Sequence, residues 1–179
     1  KNRIEQKFFE LSKKQTKALA CFITSGDPTE KVFEQILFSL PHHGADIIEV
    51  GLPFSDPMAD GPTIQKSSQR AIKSGININK TLKIISKFRE NDLQTPIILM
   101  GYFNPIFQYG LNNFFSHGKK AGIDGVIIVD LPPEEDYLIE NFTEKFDIHN
   151  IRLITPTTDK KRIKKISSVS KGFLYYVSV

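Results

Sequence analysis

Apolar residues along the chain fall into short, nearly unbroken runs: Leu19–Thr24, Asp46–Val50, Ile97–Met100, Gly125–Val129, Ile151–Ile154 and Phe173–Val177. Hydrophobicity that is continuous rather than alternating predicts strands covered on both faces, as in a parallel sheet. Between the runs the apolar positions switch to helical spacing: Val32, Ile36, Leu37 and Leu40, then Leu82, Ile85 and Phe88, then Tyr137, Leu138 and Phe142. The stretch Ile4–Leu11 predicts a helix, within residues 2–15, ahead of the first strand. Strand and helix in alternation are the grammar of an α/β fold. A chain of 179 residues is enough for one such domain, spanning 1–179.

Most strand starts are about 25 residues apart, but the interval from Asp46 to Ile97 is about twice that. It holds a long loop and two helical stretches broken at Gly75. Six predicted strands fit either an open doubly wound sheet or six βα units of an eight-stranded barrel. In both, the loops that follow the strands share one rim, where ligands bind.

That rim carries the informative polar residues. Glu49 stands inside the second strand, where alternation puts it on the same side as Ile47 and opposite Ile48 and Val50. A carboxylate on a buried strand is costly unless it is paired or working, and burial raises its pKa toward the range useful for proton transfer. A structural salt bridge is the competing role. Asp56 and Asp60 lie in the following loop, which is rich in proline and glycine and long enough to fold over a ligand. Asp60-Gly-Pro62 also reads as a helix start, so capping competes with chemistry at Asp60. Two carboxylates on one rim can divide acid and base roles.

Composition narrows the field. Lys and Arg exceed Asp and Glu by 24 to 20, a net charge of +4. The one dense run, Lys160–Lys165, has Ile163 within it and Ile166 beside it at helical spacing and reads as a solvated helix face, not a nucleic-acid patch. A single cysteine, Cys21, excludes an internal disulfide and sits in an apolar run that predicts a buried thiol. His42, His43, His117 and His149 have no metal-ligand spacing, and no phosphate-loop, dinucleotide or nucleophile-elbow motif is present. No apolar stretch approaches a membrane span, and a cytoplasmic location is the expectation.

The segment Ile48-Glu-Val-Gly-Leu-Pro-Phe-Ser-Asp-Pro-Met-Ala-Asp-Gly61 resembles the signature of tryptophan synthase alpha chains. Thr24–Pro28, Gly61–Gln65, Leu99–Pro105, Gly122–Val126, Asp130–Glu134 and Gly172–Ser178 agree with the family in order and spacing. The resemblance implies a TIM (β/α)8 barrel of which this chain supplies about six units. Strands seven and eight, with their glycine-rich phosphate turns, are expected past Val179.

It also implies cleavage of indole-3-glycerol phosphate to indole and glyceraldehyde 3-phosphate, with Glu49 as acid and base and Asp60 at the indole N–H. Phe22, Met100, Tyr102, Ile127, Val129 and Tyr175 match substrate-pocket positions. Pro53, Asp56, Pro57, Asn104, Pro105 and Phe107 match the side that faces a beta subunit in an alpha2beta2 assembly. No cofactor is expected in this chain and no metal. Pyridoxal phosphate is expected in the partner. The competing function is a non-catalytic module that binds and regulates the beta subunit.

Overall fold

The computed structural model describes residues 2–178; the ends of the expected 1–179 domain, Lys1 and Val179, lie outside the described residues. Helix α1 (Arg3–Lys13) precedes strand β1 (Ala20–Thr24), followed by α2 (Glu30–Ser39), β2 (Ile47–Gly51), α3 (Pro62–Lys73) and α4 (Ile78–Arg89). Then come β3 (Ile97–Gly101), α5 (Phe103–Tyr109), α6 (Leu111–Ala121), β4 (Gly125–Ile128) and α7 (Glu140–Phe146). The chain continues through β5 (His149–Asn150), β6 (Arg152–Ile154), α8 (Lys160–Val169) and β7 (Leu174–Tyr176).

Strands β1 to β5 form one parallel sheet in sequence order, and β6 pairs β7 in parallel. The order never reverses, so the doubly wound alternative, which requires a reversal, is excluded. The sheet winds one way, as a barrel does. The predicted fifth strand, Ile151–Ile154, is two short pieces. Residues 149–150 pair with β4, Ile151 N still donates to Val126 O at 2.9 Å, and residues 152–154 turn to pair with β7. Successive strands of a twisted sheet rotate against one another, and here the rotation divides one strand between two ladders.

Two apolar clusters lie on opposite faces of the sheet. Ile48, Val50, Ile97, Leu99, Val126 and Ile128 pack outward against Phe33, Leu37, Ile85, Phe88, Phe114 and Phe115 of the helices. Ile47, Ile98, Ile127 and Ile151 pack inward with Ile4 of α1. Helix α1 thus closes the end of the interior where the strands begin. The Asn2 side-chain amide donates to the Asp124 carbonyl at 2.9 Å, fixing the start of the helix there.

A buried ion cluster braces the same end. Asp124 accepts from Arg3 at 2.8 Å, from Arg89 at 3.0 Å and from the Ile97 N–H at 2.9 Å. Burial lowers the Arg89 pKa to about 10, against the pull of Asp124, which leaves it protonated at neutral pH.

Several expectations change. The Tyr137 to Phe142 stretch is not one helix: a 3-10 turn over Pro133–Leu138 precedes α7, and Tyr137 is exposed. The pair Pro132-Pro133 favours this tight start. Cys21 is only partly buried, because β1 is an edge strand with a neighbour on one side. Residues 103–109, which follow the third strand, are helical (α5), with the Phe103 N–H donating to Asp130 at 2.7 Å. The Lys160–Lys165 run lies in α8, whose buried contact is Ile166.

Candidate active site

The strand ends Thr24, Gly51 and Gly101 open onto a cavity of about 260 Å³. Phe22 and Thr24 come from β1, Gly51 from β2, Met100 and Gly101 from β3, and Val129 follows β4. Tyr175 of β7, Tyr102, Leu52, Asp60, Ile64 and Ser68 complete the lining. Gly51 is required by close approach: a Cβ there would sit 2.5 Å from the Phe22 ring. Its absence lets the ring lie flat against β2, as one wall of the cavity.

Glu49 is on the interior face of β2, between Ile47 at the floor and Gly51 at the cavity wall. It is 3% exposed, and its carboxylate has no hydrogen-bond or ion-pair partner among the described residues. Burial therefore raises its pKa, with nothing to offset the rise. The contrast with Asp124 is informative: that buried carboxylate is held by two arginines and a backbone N–H, and Glu49 by none. Among the described residues no structural salt bridge holds Glu49. Its charge is felt by Tyr175, whose phenol is raised first by burial and then by Glu49.

Asp60 does not cap α3. Gly61 is the N-cap residue and makes no side-chain cap bond, while the Asp60 carbonyl accepts from Gln65 at 2.8 Å. The Asp60 side chain is thereby left free to face the cavity, where the Tyr102 hydroxyl donates to it. Burial raises the Asp60 pKa and the Tyr102 bond works against the rise. Tyr102 is held in turn: its oxygen accepts the Ala59 N–H at 2.9 Å, and its ring lies 5.4 Å from that of Phe54. Helix α3, which follows Asp60, is tied to the β1–α2 loop by a two-pronged Arg70–Asp27 pair at 2.7 and 2.8 Å.

Of the pocket residues expected from sequence, Phe22, Met100, Tyr102, Val129 and Tyr175 line the cavity. Ile127 does not. It is on the same face as Val129 but two residues deeper, sealed in the floor with Ile47 and Ile98. The sequence reading missed Thr24, Leu52, Ile64 and Ser68. Ser68 was signalled by a polar residue in the Ile64–Ser68–Ala71 stripe of an amphipathic helix. The residues expected at a partner surface lie outside the cavity lining. Asp56 and Asn104 are exposed, Pro53, Pro57 and Pro105 half-buried, and Phe107 is 57% exposed. Among the described residues no group of three His, Cys, Asp or Glu is placed to hold a metal ion, and no helix is long and apolar enough to cross a membrane.

A family model described as tryptophan synthase alpha chain matches residues 8–179. The chain is similar to the tryptophan synthase alpha chain of Legionella pneumophila subsp. pneumophila at 40% identity and a TM-score of 0.95, covering 100% of this chain and 67% of that one. It is similar to subunit alpha of Legionella pneumophila str. Paris at 42% identity and a TM-score of 0.96, covering 99% and 68%. It also matches a chain of the tryptophan synthase complex from Pyrococcus furiosus at 38% identity and a TM-score of 0.85, covering 90% and 66%.

Proposed function

Because the chain belongs to the tryptophan synthase alpha chain family, the lyases that cleave indole-3-glycerol phosphate to indole and glyceraldehyde 3-phosphate, we propose that Glu49 and Asp60 carry this reaction here. The observation that carries the reading is Glu49: a buried, unpartnered carboxylate on the strand whose end, Gly51, opens onto an apolar cavity lined by Asp60. Phe22, Met100 and Val129 enclose the indole ring from the sides, and Tyr175 approaches from β7. Ile127 supports them from below.

Glu49, whose pKa burial raises toward the range useful for proton transfer, gives a proton to indole carbon 3, the carbon that bears the glycerol chain. Positive charge then develops on the ring, and its N–H leans on the Asp60 carboxylate. In a site shielded from water that interaction is strong. Glu49, or a water it holds, takes the proton of the adjacent glycerol hydroxyl as the carbon–carbon bond breaks. Indole and the aldehyde result, and Glu49 ends as it began.

The partner-facing side is the rim loop at Pro53, Asp56 and Pro57 with Asn104, Pro105 and Phe107 of α5. An exposed aromatic beside prolines suits a docking surface. The partner is a tryptophan synthase beta subunit carrying pyridoxal phosphate, in an alpha2beta2 assembly in the cytoplasm. The Pyrococcus furiosus neighbour is itself part of a tryptophan synthase complex. The non-catalytic module is not favoured, since the family is one of lyases.

The test is indole release from indole-3-glycerol phosphate, by the protein alone and with its beta subunit. Glu49→Gln and Asp60→Asn each lower the rate at least a hundredfold, within the range of about 10²–10⁴ that a positioned acid–base group supplies. Near-normal rates in both variants would remove the reading.

A further inference from the structure

One wall of the cavity is polar in a way that the cleavage chemistry leaves unused. Ser68 of α3 is 4% exposed and lines the cavity, and its hydroxyl has no hydrogen-bond partner among the described residues. Its neighbour Ser67 donates to the Ile64 carbonyl at 2.8 Å and lies 2.7 Å from the Thr24 hydroxyl. With the Ser67 hydrogen committed to Ile64, Thr24 must donate to Ser67. Thr24, which also lines the cavity, is then left with only lone pairs to offer. The wall therefore presents one hydroxyl free to donate and one oxygen free to accept.

Its position relative to Asp60 follows from helix geometry. Helix α3 starts at Pro62, next to Asp60, so Ser68 lies about 9 Å along the axis from the helix start at ~1.5 Å per residue. That is close to the length of a bicyclic aromatic ring. An indole with its N–H at Asp60 and carbon 3 at Glu49 has carbons 5 and 6 furthest from both carboxylates. A ring lying from Asp60 along α3 brings those carbons to the wall that Ser68 and Thr24 form.

We propose that Ser68 and Thr24 make this pocket select indole rings bearing a hydroxyl or amino group at carbon 5 or 6 over rings bearing a methyl group there. The inference rests on the functional reading above. A methyl group covers the Ser68 hydroxyl and leaves it buried and unpaired. A hydroxyl of nearly the same size accepts from Ser68 and donates to Thr24. Leaving a buried polar group unpaired is more costly than an average hydrogen bond is favourable, so the discrimination exceeds that of an exposed contact.

The test is equilibrium binding of 5- and 6-hydroxyindole and of 5- and 6-methylindole to the protein, with indole and the Asp60→Asn variant in parallel. The wild-type chain binds the better hydroxyindole about tenfold more tightly than the matching methylindole. Ser68→Ala brings that ratio to one or below, and Thr24→Val lowers it independently. A wild-type ratio of one, or a ratio unchanged in both variants, overturns the proposal. If indole still binds and Asp60→Asn weakens it, only the ring selectivity falls. If indole does not bind, the functional reading falls and the selectivity with it.

Discussion

Replacing Glu49 by glutamine separates what the carboxylate does for the reaction from what it costs the fold. The side chain is 3% exposed on β2, between Phe22 and Ile98 in the strand register, with no hydrogen-bond or ion-pair partner among the described residues. Its pKa in the folded chain is raised above the ordinary 4.5 by burial alone. The folded state therefore binds the Glu49 proton more tightly than the unfolded state does. The sign follows: this group contributes stability below pH 4.5 and loses it as pH rises through the raised folded pKa. Across that window the wild-type chain loses about 1.4 kcal/mol per pH unit relative to a residue that does not ionise. Glutamine has nearly the same shape and does not ionise, but it brings an amide that also lacks partners, a roughly constant cost of about 1–3 kcal/mol. The variant starts less stable at low pH and gains on the wild type as pH rises. For a chain of this length the gain is about 3–5 °C in Tm per pH unit within the window. Thermal unfolding of both proteins from pH 4 to 8 reads it directly, while indole release falls at least a hundredfold. A Tm difference that stays flat over this range would refute the reasoning, because Glu49 would then titrate as if solvated.

Three further outcomes follow from the same geometry. Tyr102→Phe removes the hydroxyl that favours ionised Asp60, so the Asp60 carboxyl titrates at higher pH and the acid limb of indole release moves up with it; carbon-13 NMR of the Asp60 carboxyl would show no movement if the bond were unimportant. His149 is buried with its Nδ1 unpartnered, and burial lowers its pKa below the ordinary 6.5. The folded state is then fully stabilised above pH 6.5 and loses stability as pH falls through the lowered value, so His149→Asn should narrow that loss in unfolding measurements from pH 8 to 5, and equal slopes would count against it. Phe107→Asp places a charge on the exposed face of α5 and weakens association with the beta subunit at least tenfold by calorimetry, with Tm changed by less than about 2 °C; unchanged affinity would move the docking surface elsewhere.

The sheet was legible because its strands are covered on both faces. Ile47–Gly51 and Ile97–Gly101 bury nearly every side chain, so each appears in sequence as an unbroken apolar run. The break at Ile151 was not legible, since Ile151 through Ile154 reads as one strand whichever neighbour each residue pairs with. Tyr137 misled for a related reason. Its aromatic ring matches helical spacing, but the two prolines before it set a tighter turn that leaves it in solvent. In the pocket, residues recognised by type were found, and those recognisable only by depth were not. Ile127 and Val129 share a face of one strand, and only the position of the floor decides which of them lines the cavity.

Glu49 and Asp60 show how one fold gives two carboxylates different surroundings. Glu49 belongs to a strand, and strands fix depth: alternation points it inward, above a floor of isoleucines, with no cationic side chain among the described residues to share its charge. Asp60 belongs to the loop at the rim, where the chain has no fixed depth, and its ionised form is favoured by a single donated bond from Tyr102. Tyr102 in turn depends on the Ala59 N–H, from the residue that precedes Asp60. The loop therefore positions the tyrosine that positions its own carboxylate. Tyr102 itself is anchored where β3 meets α5, so a shift of that loop alone would move Asp60 relative to the hydroxyl that favours its ionised form. Glu49 would stay where β2 holds it, so a moving loop changes both the separation of the two carboxylates and the state of Asp60. On this geometry, contact at the rim loop adjusts how well one substrate ring meets both groups at once, which makes the loop the natural place for a docked partner to influence the rate.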